Sequence, residues 1–201
     1  METTKMKIRV TLLEDMLGTA PNNKEIYRDF IASKAPDAKS VEDEIESVGV
    51  EEYAEKGMTI FHRNAEDKPI IYDYLIKGFF KNAASALREV PGTESSKIKA
   101  YKKKIDNLVF VGPRMIDINM VGPLSICERP LRAQTPQGER VALSSSESIP
   151  AGSTMEFEIE TLTKDMMKLV CEWLDYGKYN GLGQWHNSGK GRFTWQDITN
   201  K

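Results

Sequence analysis

Histidine and cysteine are almost missing from this chain, with two of each among 201 residues. Cys127 and Cys171 lie far apart and match no metal-ligand spacing, so neither a zinc site nor a disulfide framework is expected, and both are read as buried thiols. His62 and His186 are the whole supply of imidazole. No HExxH helix, Ser-His-Asp arrangement or paired-carboxylate spacing accompanies them, which leaves little material for hydrolytic chemistry or a metal, and no cofactor is expected. Long apolar runs are also lacking. Nothing approaches the roughly 18 to 20 residues that span a bilayer, and the opening METTKMKIRV has no apolar h-region, so the expectation is a cytoplasmic protein with no membrane partner. Internal repeats and low-complexity tracts are absent from the sequence. An excess of one charge is missing too: 28 Lys and Arg stand against 30 Asp and Glu, a net charge of −2. A nucleic-acid binder is usually strongly basic, so any such role has to rest on local faces.

What is present is the balance of a soluble globular domain, 40% hydrophobic and 29% charged. One domain over 1–201 is expected, with an acidic surface insertion over about 37–68 that carries short helical possibilities at Val41–Ser47 and Glu51–Lys56. Ile8, Val10 and Leu12 alternate in an opening strand that ends near Gly18, and a helix is expected over about 24–32. From Pro69, the apolar positions Tyr72, Leu75, Ile76, Phe79, Phe80, Ala83, Ala84 and Leu87 recur at helical spacing, and Pro91-Gly92 ends the run. The lysine-rich KIKAYKKKI from Lys97 leads into strand-like 108–111 and 116–121. Over about 124–144, Arg129, Arg132 and Arg140 mix with Pro130, Pro136 and Gly138, which suits a projecting hairpin turning at Gln137-Gly138. Met155, Phe157 and Ile159 then alternate with Glu156, Glu158 and Glu160. Thr163 and Asp165 can cap a helix with Met166, Met167, Leu169, Val170, Trp173 and Leu174 inward, ending near Gly177, and Phe193–Ile198 make a last strand.

Before that last strand comes Gly181-Leu-Gly183-Gln-Trp185-His186-Asn-Ser-Gly189-Lys190-Gly191-Arg192. Four glycines around a polar tip allow positive φ and close backbone approach, so the loop can present amides to phosphate. Lys190 and Arg192 add charge, and Trp185 offers a face on which a base can stack. The spacing alone leaves a second reading equally open, a tight irregular turn with Trp185 in the core. It is not a Walker loop, since Lys190 is followed by Gly191 rather than Ser or Thr. Nor is it a dinucleotide fingerprint, since it feeds a strand and not a helix.

In this setting the loop resembles that of the RAMP superfamily, the repeat-associated proteins of CRISPR systems. Three further segments agree with the resemblance. Tyr74-Leu-Ile-Lys77-Gly78 through Leu87-Arg88 is similar to the family's Lys-Gly pair opening a helix that ends in Arg. Ser148-Ile-Pro-Ala-Gly-Ser-Thr-Met-Glu-Phe157-Glu-Ile159 is similar to its Pro-Ala-Gly segment before an alternating strand, and the opening strand fits as well. Their order is most similar to the backbone subunit that polymerises along guide RNA in multisubunit interference complexes.

The resemblance implies an α+β, ferredoxin-like (RRM-related) RAMP domain with an antiparallel sheet, a helical insertion and a thumb-like hairpin. It also implies a role in antiviral defence, holding single-stranded guide RNA while self-associating or meeting other complex subunits, and the scarcity of catalytic side chains favours a noncatalytic binder over an enzyme. Nucleic-acid contacts are then expected from Lys77, Arg88, Arg129, Arg132, Trp185, His186, Lys190 and Arg192, with the loop backbone at Gly181, Gly183, Gly189 and Gly191. One alternative is a stand-alone protein of a virus or mobile element that binds single-stranded DNA or inhibits a host interference complex. Another is a metal-independent endoribonuclease using His62 or His186. Asp15 and Asp37 are weaker candidates for a catalytic acid and are read as solvated side chains. The basic run Lys97–Lys104 can track phosphate, although such runs are more often solvated faces.

Overall fold

The computed structural model describes residues 3–22, 58–135 and 138–200, the side chains of 131–143 excepted. The expected helix over 24–32, the acidic stretch as far as residue 57, Asp37 and the hairpin turn at Gln137 lie outside the described residues. The chain divides into two compact units, one of Met1–Met16, His62–Pro123 and Ile149–Lys201, the other of Leu17–Phe61 and Leu124–Ser148.

The first unit is built on β1 (Thr4–Leu12), where Met6, Ile8, Val10 and Leu12 are buried and Lys5 and Lys7 exposed, the alternation that the sequence predicts. Alongside it run β11 (Thr154–Thr161) and β12 (Phe193–Asp197), both antiparallel to β1. β7 (Val109–Gly112) pairs antiparallel with the second half of β11. The order β12-β1-β11-β7 is the 4-1-3-2 arrangement of a split βαβ pair, the ferredoxin-like fold. Helix α1 (Asp73–Leu87) follows β1 in this plan and α3 (Lys164–Asp175) follows β11, while a shorter α2 (Tyr101–Leu108) packs on α1. β8 (Met115–Asn119) pairs antiparallel with the first residues of β11, and the sheet continues from it through β6 (Pro69–Tyr72) and β5 (His62–Arg63).

Both main helices bury a stripe against the sheet. Ile76, Phe79, Phe80, Ala83 and Ala84 do so from α1, and Met166, Met167, Val170, Trp173 and Leu174 from α3. Phe80 and Trp173 meet at 5.7 Å between ring centroids. The Thr163 hydroxyl accepts from the Met166 N–H and caps α3 as its position predicts.

Four local expectations change. Pro69–Tyr72 belongs to a strand rather than to the start of the helix, because its β-branched Ile70 and Ile71 pair with Asp117 and Ile116 of β8. β1 ends at Leu12, well before Gly18, because Leu13 N–H turns away to donate to the Arg192 carbonyl at 2.7 Å. The lysine-rich segment holds a helix, α2, through Leu108. Cys127 and Cys171 are half-buried free thiols rather than fully buried ones, and burial pushes the Cys171 thiol up.

The second unit is a small sheet. β9 (Ser125–Thr135) and β10 (Gly138–Ile149) form the expected hairpin, in register from Ser125↔Ser148 to Thr135↔Gly138. β2 (Met16–Leu17), β4 (Thr59–Ile60) and β3 (Ala20–Pro21) complete the order β2-β10-β4-β3. Gly18 has its own reason here: a Cβ would lie 2.5 Å from the Ile60 carbonyl carbon.

Candidate functional site

The glycine loop leaves α3 through a 3-10 turn at Tyr176–Lys178 and returns into β12. Gly177 begins it because the Phe193 ring sits where a side chain would be, 2.5 Å from a built Cβ. The loop's base is a crossing of two backbones. A Cβ on Gly181 would lie 2.1 Å from the Gly191 carbonyl carbon, and one on Gly191 would lie 1.9 Å from the Leu182 carbonyl oxygen. Leu182 N–H donates to Gly191 O across that crossing at 3.0 Å. Two of the four glycines are therefore demanded by close approach, and Gly183 and Gly189, at φ 83° and 87°, by the left-handed backbone that lets the tip turn.

The tip itself is Trp185 followed by a 3-10 turn at His186–Ser188. Trp185 holds a left-handed conformation, φ 57°, unusual for a bulky residue, and is 41% exposed. It is not in the core, so the turn-with-buried-tryptophan reading fails. His186 Nδ1 lies 3.2 Å from Gly183 O, a bond that ties the tip to its own stem.

Lys190 and Arg192 do not stand alone. Lys190 Nζ is 3.2 Å from Asp15 Oδ2, and Arg192 Nη2 is 3.0 Å from Glu14 Oε1. Asp15 does more than pair. Its Oδ1 accepts from Ala151 N–H at 3.1 Å, and its backbone carbonyl accepts from Gly191 N–H at 2.8 Å. One residue thus joins the end of β1, the Pro-Ala-Gly turn and the glycine loop. The sequence reading of Asp15 as a solvated side chain missed this, because its partners are 136 and 175 positions away.

The remaining expected contacts lie elsewhere. Lys77 is on α1 and Arg88 caps its C-terminus, and both turn toward α2: Lys77 Nζ reaches the Asp106 carbonyl at 3.4 Å and sits 5.4 Å from the Phe110 ring of β7, and Arg88 lies 5.3 Å over Tyr101. Lys81, one turn beyond Lys77, pairs with Asp106 at 2.6 Å. Arg129, buried, and Arg132, opposite Val141, belong to β9 in the second unit. The structure therefore brings together Gly181, Gly183, Trp185, His186, Gly189, Lys190, Gly191 and Arg192, and places Lys77 with Arg88 on a different element.

The outward face of the sheet is informative as well. An RRM-type surface stacks bases on aromatics at the centre of its sheet. Here the outward residues of β1 are Lys5, Lys7, Arg9 and Thr11, and those of β11 are Thr154, Glu156, Glu158 and Glu160. Arg9 Nη2 is 2.7 Å from Glu156 Oε1, Lys7 reaches Glu156 at 3.5 Å, and Lys5 reaches Glu158 and Glu160 at 3.5 and 3.4 Å. The Arg9 guanidinium holds the Glu156 carboxyl below its usual range, and the Glu160 carboxylate raises the Lys5 ammonium. This face is self-neutralised and has no stacking platform at its centre, which leaves the loop as the better candidate.

Neither histidine is set up for proton transfer by a carboxylate in these contacts: His62 packs edge-on against Tyr72 at 4.8 Å, and His186 is bonded to Gly183. Among the described residues, no three His, Cys, Asp or Glu side chains are grouped to hold a metal ion. No described helix is long and apolar enough to cross a membrane.

No family model and no curated protein matches the sequence. Solved structures do match the fold. A chain from a type III-B Cmr-beta structure bound to cognate target RNA is similar over 97% of this chain, with a TM-score of 0.56 and 13% identity; this chain spans 59% of that one. A chain of a type IV-B CRISPR complex is similar over 98% of this chain and 91% of its own length, with a TM-score of 0.50 and 9% identity. The α+β fold of these chains agrees with the fold that the sequence resemblance implies.

Proposed function

We propose that this chain is a noncatalytic single-stranded RNA-binding protein that works as a repeating subunit of a CRISPR-type ribonucleoprotein, holding guide RNA in register. The observation that carries the reading is the glycine loop. Its base is held by a backbone crossing that only glycine permits, and it carries an exposed tryptophan with two cations at its foot. Such a loop suits a sugar-phosphate backbone, with amides and cations for phosphate and Trp185 as a stacking face. The fold likeness to chains of CRISPR complexes, one of them with target RNA bound, supports the same assignment.

The hairpin β9–β10, with Arg129 and Arg132 on its first strand, is the thumb of this reading, and neighbouring copies or other subunits are its protein partners. Lys77 and Arg88 remain part of the proposed interface, although their contacts with α2 mean that they act at a distance from the loop tip or after a change of rotamer. The test is native purification followed by absorbance at 260 and 280 nm. A ratio above that of clean protein, abolished by ribonuclease and not by deoxyribonuclease, is the expected result. Clean protein that also fails to bind single-stranded RNA overturns the reading, and sensitivity to deoxyribonuclease alone turns it toward DNA.

A further inference from the structure

On the same unit as the loop, but on β5, β6, the bend before β8 and the first turn of α1, an aromatic group flanks one exposed arginine. Tyr72 and Tyr74 are stacked, 5.5 Å between centroids and 16° between planes. His62 meets Tyr72 edge-on. The Arg114 guanidinium lies 5.8 Å from both tyrosine rings. Asp73, between the tyrosines in sequence, fixes that guanidinium through Nη1 at 3.0 Å, while Asp73 N–H donates to the Arg114 carbonyl at 3.1 Å. Although so placed, the Arg114 side chain is 70% exposed and Tyr74 47% exposed. Met115, opposite Tyr72 in the β6–β8 register, is exposed beside them.

A tyrosine ring carries a large apolar surface, and Tyr74 leaves about half of its own in water next to the exposed Met115. The arrangement is preorganised: the first turn of α1 holds Tyr74, Arg114 sits in the bend just before β8, and Asp73 pairs with its guanidinium at 3.0 Å. Because the two rings are nearly parallel and in face contact, no cleft opens between them for a proline or an aliphatic side chain. What they offer is a flat π-face with a cation over it, and that surface complements a planar base with an anionic group attached. Arg114 has donors beyond the Nη1 held by Asp73, and they can reach a phosphate oxygen.

We propose that Tyr72, Tyr74 and Arg114 form a second nucleotide-binding point, stacking one base of a single-stranded nucleic acid on Tyr74 and contacting its phosphate through Arg114. This rests on the reading of the chain as a single-strand binder and adds to it a base contact remote in sequence from the glycine loop. His62 supports the Tyr72 ring and Asp73 positions the arginine.

The test is fluorescence anisotropy of a labelled 12-nucleotide single-stranded RNA with full-length wild type, Tyr74→Ala, Tyr74→Trp and Arg114→Ala, each checked by thermal melting for an intact fold. Tyr74→Ala should raise Kd about five-fold or more, as the loss of one stacked base does, and Tyr74→Trp should restore binding. An oligonucleotide made abasic throughout should bind wild type and Tyr74→Ala alike. Wild type that binds RNA while folded Tyr74→Ala binds equally well overturns the second point and leaves the proposed function standing. Wild type that binds no RNA overturns both. If Tyr74→Ala leaves RNA affinity unchanged but abolishes self-association in analytical ultracentrifugation, the cluster is a protein interface and the proposal fails.

Discussion

Asp15 and Lys190 meet at 3.2 Å at the foot of the glycine loop, and the same aspartate holds Ala151 N–H and Gly191 N–H through its other oxygens. With Glu14 on Arg192, this places two carboxylates where a phosphate ligand needs the cations. A ligand phosphate has to displace or share them. Glu14→Gln removes a competing charge while keeping an acceptor, so it should tighten single-stranded RNA binding by about two- to five-fold at low salt, an effect that shrinks as ions screen it. Anisotropy at two salt concentrations measures this. Weaker binding by Glu14→Gln would show that the carboxylate organises the cation rather than competing for it.

The loop glycines differ in what they are for, and stability should report the difference. Gly191→Ala puts a Cβ onto the Leu182 carbonyl at φ +67°, so it should cost more than about 2 kcal/mol. Gly189→Ala meets nothing closer than the Arg192 side chain at 3.5 Å and carries only the left-handed backbone cost, about 1 kcal/mol. Gly78, inside α1, has no atom within 4 Å of a built Cβ, so Gly78→Ala should stabilise by about 0.5 to 1 kcal/mol. Urea unfolding of the three variants checks the order.

Glu172 accepts from Glu94 N–H at 2.8 Å, Ser95 N–H at 2.9 Å and the Ser95 hydroxyl, while Trp173 Nε1 donates to that same hydroxyl at 2.9 Å. This ties the 3-10 turn after α1 to α3. Glu172→Ala leaves those donors without their acceptor and should cost about 1 to 3 kcal/mol by urea unfolding, with RNA binding unchanged in the protein that remains folded.

The Arg9–Glu156 pair predicts a pH dependence. Arg9 lowers the Glu156 carboxyl in the folded chain relative to an ordinary glutamate of 4.5. Its contribution is therefore present above that value and is lost as the pH falls through the lower, folded one. The side chain is about one-third exposed, so the pair contributes no more than about 1 kcal/mol. Thermal melts from pH 6 to 3 should show Glu156→Gln with a shallower acid loss than wild type; identical slopes would show that the pair contributes nothing to stability.

Much of this architecture was legible from period alone. Alternation in β1 and β11 and the helical stripes of α1 and α3 each concern neighbours a few residues apart, as does the Thr163 cap. The strand Pro69–Tyr72 was hidden because a four-residue apolar run joins a helix without a break and periodicity cannot divide them. At the site, the glycine spacing pointed to a special backbone, but the crossing of Gly181 on Gly191 and the role of Asp15 depend on segments that meet only after the sheet has formed. The acidic face of β11 was visible in Glu156, Glu158 and Glu160. Its neutralisation was not, because it needed the register with β1.

Lys190 and Arg192, at the foot of the glycine loop, are proposed to hold nucleic-acid phosphate. The most direct test is the salt dependence of single-stranded RNA affinity for wild type and the double variant Lys190→Ala, Arg192→Ala. Each phosphate contact contributes about 0.7 to the slope of log K against log salt for a single strand. The double variant should bind more weakly, with a slope shallower by about 1.4. A folded double variant with the wild-type affinity and slope would contradict it.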